Sequence, residues 1–187
     1  MSSRLRAVAR ELRHLPDRLM HPSRRRQALR RVEAAEPQRV LVMCLGNICR
    51  SPFAAGVLAR DLPGREVRSA GFLESGRPAP REAVSVGAEY GVNLTTHRSM
   101  QVSPEAITWA DLVLVMDGRQ AARVESISAA GTLIERLGDF DPGPIDTRTV
   151  IDPIERDRAF FAQVYDRIEA CCETVAHAAR HEPEDGS

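Results

Sequence analysis

Two side chains of complementary chemistry stand six positions apart in the run Cys44-Leu45-Gly46-Asn47-Ile48-Cys49-Arg50-Ser51-Pro52. Cys44 offers a sulfur nucleophile, and Arg50 offers a planar fork that binds two phosphate oxygens at once. An arginine and a helix N-terminus beside a cysteine both favour thiolate over thiol. Gly46 and Asn47 are types that tolerate positive φ, so the five intervening residues can curl until their N–H groups point inward. Such a loop holds a tetrahedral oxyanion against a nucleophile. The bland alternative makes Cys44 and Cys49 small core residues flanking a turn, since free cysteine is often buried. A zinc site is disfavoured, because no second pair with ligand spacing follows Cys44 and Cys49. No metal and no cofactor is expected.

The elements around this run fit that chemistry. Arg39-Val40-Leu41-Val42-Met43 is β-branched and apolar like a buried strand, and Ser51-Pro52 reads as a helix start. Further strand-like runs are 66–70, 111–116 and 132–137, separated by helical stretches at 51–61, 80–90 and 119–127. A last helix, about 156–178, carries Phe160, Phe161, Val164, Tyr165, Ile168, Cys171, Cys172 and Val175 on its apolar face. Strict alternation implies an α/β three-layer sandwich: a central four-stranded parallel sheet flanked by helices, with the phosphate-binding loop after the first strand. Ligands of such sheets bind beyond the carboxyl ends of the strands, where Cys44 sits. Trp109 is expected to pack in the core.

The 187 residues suit one domain plus an appendage. Residues 1–38 read as a basic helical N-terminal extension, 39–178 as the domain and 179–187 as a disordered acidic tail. No run approaches the roughly 20 apolar residues that cross a bilayer, and four cysteines do not make a secreted disulfide framework. A soluble, cytoplasmic protein is expected. Net charge is zero, yet residues 1–39 hold eleven Arg against four acids, and the remainder fifteen Arg against twenty-two acids. In the extension Leu5, Val8, Leu12, Leu15 and Leu19 recur at helical spacing, Pro16 should interrupt or restart the helix, and Ser23 is a fair cap for a second stretch. That stripe is expected to pack on this chain's own core or to fray; the alternative is contact of residues 1–36 with a membrane surface or an acidic partner. No nucleic-acid partner is expected. Since every candidate site residue follows Arg39, deleting residues 1–36 should leave turnover intact.

A thiolate attacking phosphorus needs an acid for the leaving oxygen and then a base for water, and one carboxylate can serve both. Asp139, Asp141, Asp146 and Asp152 all lie in Pro-rich loop sequence, and position alone does not choose among them.

The stretch Val42 to Pro52 resembles the signature of the low-molecular-weight protein tyrosine phosphatases. Ser69-Ala70-Gly71, His97-Arg98-Ser99, Asp111 to Asp117, and Asp152-Pro153 followed by Phe160 to Glu169 are similar to the same family in the same order. The resemblance covers about residues 39–178. It implies hydrolysis of protein phosphotyrosine through a cysteinyl-phosphate, with Cys44 as nucleophile, Arg50 binding the phosphoryl group and Asp152 as general acid and base. It further implies that Leu45, Gly46, Asn47, Ile48, Cys49 and Ser51 form the phosphate loop. In that loop Asn47 fixes the shape and Ser51 hydrogen-bonds the sulfur, while Ser69 and His97 support it from behind. It also implies, as in some members, a reversible disulfide between Cys49 and Cys44. Ala55 stands where the family usually has Glu, the wall Gly71 to Gly76 holds no Trp, and Ile154 replaces an aromatic residue, so reaction type is better defined than substrate.

Arsenate reductases of this architecture relay electrons through mid-chain cysteines, which are missing between Cys49 and Cys171. Protein arginine phosphatases typically carry Thr in place of Ile48, which leans this chain toward phosphotyrosine. A phosphate-binding or redox-sensing module with low turnover is the non-enzyme alternative. The partner implied is a phosphorylated protein, a tyrosine kinase among the candidates.

Overall fold

In the strand Arg39–Cys44 (β1), alternate residues face opposite sides and both sides are dry. Val40, Val42 and Cys44 belong to one apolar cluster, while Leu41 and Met43 belong to another. A strand buried on both faces needs layers above and below it. The computed structural model describes residues 3–128 and 131–180, with side chains from residue 14 onward, and supplies those layers. Four parallel strands lie in the order β2-β1-β3-β4, with β2 at Glu66–Gly71, β3 at Leu112–Val115 and β4 at Leu133–Arg136. This is the sandwich expected from the alternation of elements.

One face is covered by α1 (Ser3–Ala35), α2 (Arg50–Asp61), α3 (Arg81–Glu89) and α6 (Arg158–Ala179). The other face carries α4 (Pro104–Trp109) and α5 (Gly118–Glu125), which contribute Ile107, Ala121 and Val124. Sequence patterning omitted α4, although its start signal was present: Ser103 Oγ accepts the Ala106 N–H at 3.2 Å and Pro104 opens the first turn. Trp109 is half-buried at the edge of that second core, with the Arg68 guanidinium 3.9 Å from its ring centroid.

The N-terminal helix corrects several expectations. Pro16 does not interrupt it, and α1 runs unbroken through both Pro16 and Pro22. Each proline leaves one carbonyl without its helical partner, and both prolines are exposed. Ser23 starts no second helix, since its hydroxyl donates back to the Met20 carbonyl at 3.0 Å. The helix ends where Glu36 adopts a φ of 42° just before Pro37. The stripe does not reach the core where it is described: Leu15 and Leu19 are exposed, while His21, Ala28, Leu29 and Val32 are buried. Side chains of Leu5, Val8 and Leu12 lie outside the described residues. Ala28, Leu29 and Val32 share the main cluster with β1 and α6, so deleting residues 1–36 would remove part of the core, and a loss of stability is expected. At the other end Ala179 is helical and buried; the tail at 181–187 lies outside the described residues.

Candidate active site

Everything needed to hold an anion arises where β1 runs out. Cys44 is the last residue of β1, and the chain re-enters helix at Arg50. Between them Asn47 takes a φ of 50°, which turns the loop on itself. Its fully buried side chain fastens the turn. Asn47 Nδ2 donates to Ser51 Oγ and to Ser69 Oγ, both at 2.9 Å, and its Oδ1 accepts the Met100 N–H at 2.8 Å. The Asn47 carbonyl accepts from His97 Nε2 at 2.7 Å. Ser69 and His97 thus both act on Asn47 rather than on the sulfur. Tyr165, stacked on Phe53 with centroids 3.7 Å apart, donates its hydroxyl to the Cys49 carbonyl at 3.1 Å and closes the loop's far side. Gly71 lies against the loop so closely that a Cβ there would stand 2.8 Å from the Asn47 nitrogen.

Two donors converge on Cys44. Its Sγ lies 3.2 Å from the Asn47 N–H and 3.1 Å from the Ser51 hydroxyl, an arrangement that suits a negatively charged sulfur. Arg50, 5% exposed, donates from NH1 to the Val150 carbonyl at 2.9 Å and from NH2 to Asp152. Its Nε–H is buried with no acceptor among the described residues, a donor left for an anion in the loop. At Cys49 burial, and after it the nearby Asp152 and Cys44, push the thiol up to about 12. All four cysteines are free and buried, Cys171 and Cys172 within α6, where burial pushes both thiols upward.

The structure separates the four loop carboxylates. Asp139 pairs with Arg148, Asp141 with Arg167, and Asp146 with Arg18. Only Asp152 joins Cys44 and Arg50 in the mouth, together with Ile48, Leu73, Arg77 and Ile154. A second depression of about 410 Å³ adjoins it across Leu45 and Asp152, lined further by Phe72, Arg119, Arg123 and Ile151. Leu45, Leu73, Ile151 and Ile154 each remain more than a third exposed, an apolar rim around the sulfur. Arg77, Arg119 and Arg123 were not singled out by sequence reasoning, because no motif marks an isolated arginine at a rim.

A parallel α/β domain whose first strand delivers a cysteine into an arginine-closed anion loop defines the class of cysteine-dependent phosphate-handling domains. The profile of the low molecular weight phosphotyrosine protein phosphatases matches residues 39–184, and the chain belongs to that family. A probable low molecular weight protein-tyrosine-phosphatase, EpsP of Ralstonia nicotianae, is 39% identical over 132 residues, spanning 70% of this chain and 88% of that protein. The crystal structure of the Erwinia amylovora tyrosine phosphatase AmsI superposes with a TM-score of 0.69 at 30% identity, covering 76% of this chain and 93% of that one. The YwlE arginine phosphatase from Geobacillus stearothermophilus gives 0.69 at 34% identity, covering 78% and 95%.

Proposed function

We propose that this chain hydrolyses phosphotyrosine in proteins through a cysteinyl-phosphate, with Cys44 as nucleophile, Arg50 binding the phosphoryl group and Asp152 as general acid, then base. The observation carrying this reading is the convergence of the Ser51 and Asn47 donors on the Cys44 sulfur in a loop closed by Arg50, whose other partner is Asp152. The Cys44 thiolate attacks phosphorus, the P–O bond to the tyrosine ring breaks, and Asp152 gives its proton to the departing oxygen. Loop N–H groups and Arg50 stabilise the equatorial oxygens. Water then attacks the phosphocysteine, Asp152 takes its proton, and the S–P bond breaks to release inorganic phosphate and restore the thiolate. An arriving phosphoryl group takes over the Arg50 guanidinium and leaves Asp152 facing the leaving oxygen.

The apolar rim suits an aromatic ring, while phosphoarginine would bring guanidino N–H groups to a mouth whose lining offers one carboxylate, Asp152. Arg77, facing Glu74, on one side and Arg119 and Arg123, against Asp117, on the other leave a positive excess that favours acidic residues beside the phosphotyrosine. We assign the catalytic residues to the family domain at 39–178, whose core α1 completes, and a phosphorylated protein, a tyrosine kinase among the candidates, as substrate. The test is hydrolysis of phosphotyrosine, phosphoserine and phosphoarginine peptides by wild type and Cys44→Ser. Turnover of the phosphotyrosine peptide by wild type alone is expected. Equal rates for both proteins would sink the phosphatase reading, and preference for phosphoarginine would reassign the substrate.

A further inference from the structure

Asp152 ends a segment that the family domain does not hold alone. From Asp141 to Val150 the backbone is fastened at one end by β3's exit, where the Val150 N–H donates to the Met116 carbonyl at 2.9 Å. From α6, Arg167 donates to the Asp141 carboxylate at 2.8 Å and to the carbonyls of Thr147 at 2.6 Å and Thr149 at 2.8 Å. Asp139 holds the Arg148 guanidinium through both carboxylate oxygens, and further anchors come from α1, which precedes the family match at residue 39. Asp17 Oδ2 accepts the Arg148 N–H at 3.2 Å, and Asp17 is itself held by Arg24 at 2.8 Å. His21 Nε2 lies 2.9 Å from the Asp141 carbonyl. A carbonyl only accepts, so that ring nitrogen carries the hydrogen. His21 is 4% exposed, and its Nδ1 has no partner among the described residues. Burying an imidazole with one nitrogen unbonded is unfavourable, and the hydrogen bond it makes instead goes to the acid segment.

We propose that α1 is a positioning element for the reaction, with Asp17 and His21 fixing the 141–150 segment so that Asp152 meets the leaving-group oxygen. The inference rests on the reading of Asp152 as general acid. In the free structure Arg50 grips both Val150 and Asp152. Once a phosphoryl group engages that guanidinium, the carboxyl position depends on the other anchors. Arg148, its backbone N–H held by Asp17 and its guanidinium by Asp139, stands four residues before Asp152. A displacement of about 1 Å at a reacting group lowers rates by on the order of 10²-fold.

A structural role and an acid-positioning role separate by leaving group. The value of kcat/KM reports steps through sulfur attack, and it needs the acid most when the leaving oxygen is a strong base, as in phenyl phosphate. A nitrophenyl ester, whose leaving group is a weaker base, needs the acid little. The reference is Asp152→Asn, expected to lower kcat/KM strongly on phenyl phosphate and weakly on the nitrophenyl ester. Asp17→Ala and His21→Phe should each lower it about three- to tenfold on phenyl phosphate and less than twofold on the nitrophenyl ester. Asp17→Asn, which keeps an acceptor for the Arg148 N–H, and His21→Gln, which keeps a donor, should recover most of the loss. Equal losses on both esters, or no loss on either, would overturn the proposal while leaving Asp152 its role. If Asp152→Asn itself shows no leaving-group dependence, the acid assignment falls and this proposal with it. The conservative pair keeps the test open if either Asp17→Ala or His21→Phe fails to fold.

Discussion

The phosphate loop and the acid segment face each other across one mouth, yet they are built in opposite ways. The loop is one run of nine residues, whose nucleophile, turn former, hydroxyl and arginine are near neighbours in sequence. The acid segment is fastened by α1, β3 and α6, through partners that lie as much as 131 positions away, as between Arg148 and Asp17. Chemistry that must be rigid in one place is encoded locally. Chemistry that must approach from outside is held by whatever the fold brings near. The two halves should therefore fail differently.

The largest expected effect tests the loop: Cys44→Ser should lower turnover of any aryl phosphate by on the order of 10⁴-fold or more, whatever the leaving group. Next comes the acid. Asp152→Ala should lower kcat/KM by about 10²- to 10³-fold on a phosphotyrosine peptide, whereas Asp141→Ala, which loses the contacts to Arg167 and the Gly143 N–H, should stay within about tenfold. The reverse order would mean that the wrong carboxylate has been assigned. Each half also rests on a glycine. A Cβ at Gly138 would fall 2.1 Å from the Arg148 carbonyl oxygen, and one at Gly71 would fall 2.8 Å from the Asn47 nitrogen. Alanine at either should cost about 1–3 kcal/mol, a drop of roughly 2–4 °C in Tm per kcal/mol. Gly71→Ala should weaken inhibition by phosphate, and Gly138→Ala should instead deepen the leaving-group dependence. Identical kinetic signatures would erase the distinction drawn between the halves.

The smallest effect concerns the loop's second cysteine. With its thiol pushed up to about 12, Cys49 stays protonated in the native protein at pH 8 and should resist iodoacetamide until the chain is unfolded. Labelling of native Cys49 at pH 8 would refute the upward shift of its thiol. Because its folded value lies above the ordinary 9.0, folding favours the protonated thiol. That contribution is complete below about pH 9 and is lost as pH rises toward 12.

Legibility followed the same divide. Alternating strand and helix patterns implied the sandwich and its four strands, because apolar runs report burial directly. The Cys44–Pro52 run disclosed the loop because its roles are adjacent. Asp152 needed the family resemblance, since four carboxylates in one Pro-rich stretch look alike until Arg148, Arg167 and Arg18 engage three of them. The path of α1 was misread because local rules for Pro16 and Ser23 ignore what tertiary packing of Ala28, Leu29 and Val32 contributes. Asp17 and His21 carry no pattern at all, as their meaning depends on a loop more than a hundred residues away.

Asn47 has a consequence for product release. Its side chain is satisfied entirely by protein groups, so the loop keeps its shape without a ligand. A tetrahedral oxyanion arriving there loses its own freedom and little of the protein's. That advantage belongs equally to the substrate's phosphoryl group and to the free phosphate that leaves. The enzyme's own product is therefore a competitive ligand, and any preference for substrate over free phosphate must come from the rim residues rather than from the loop.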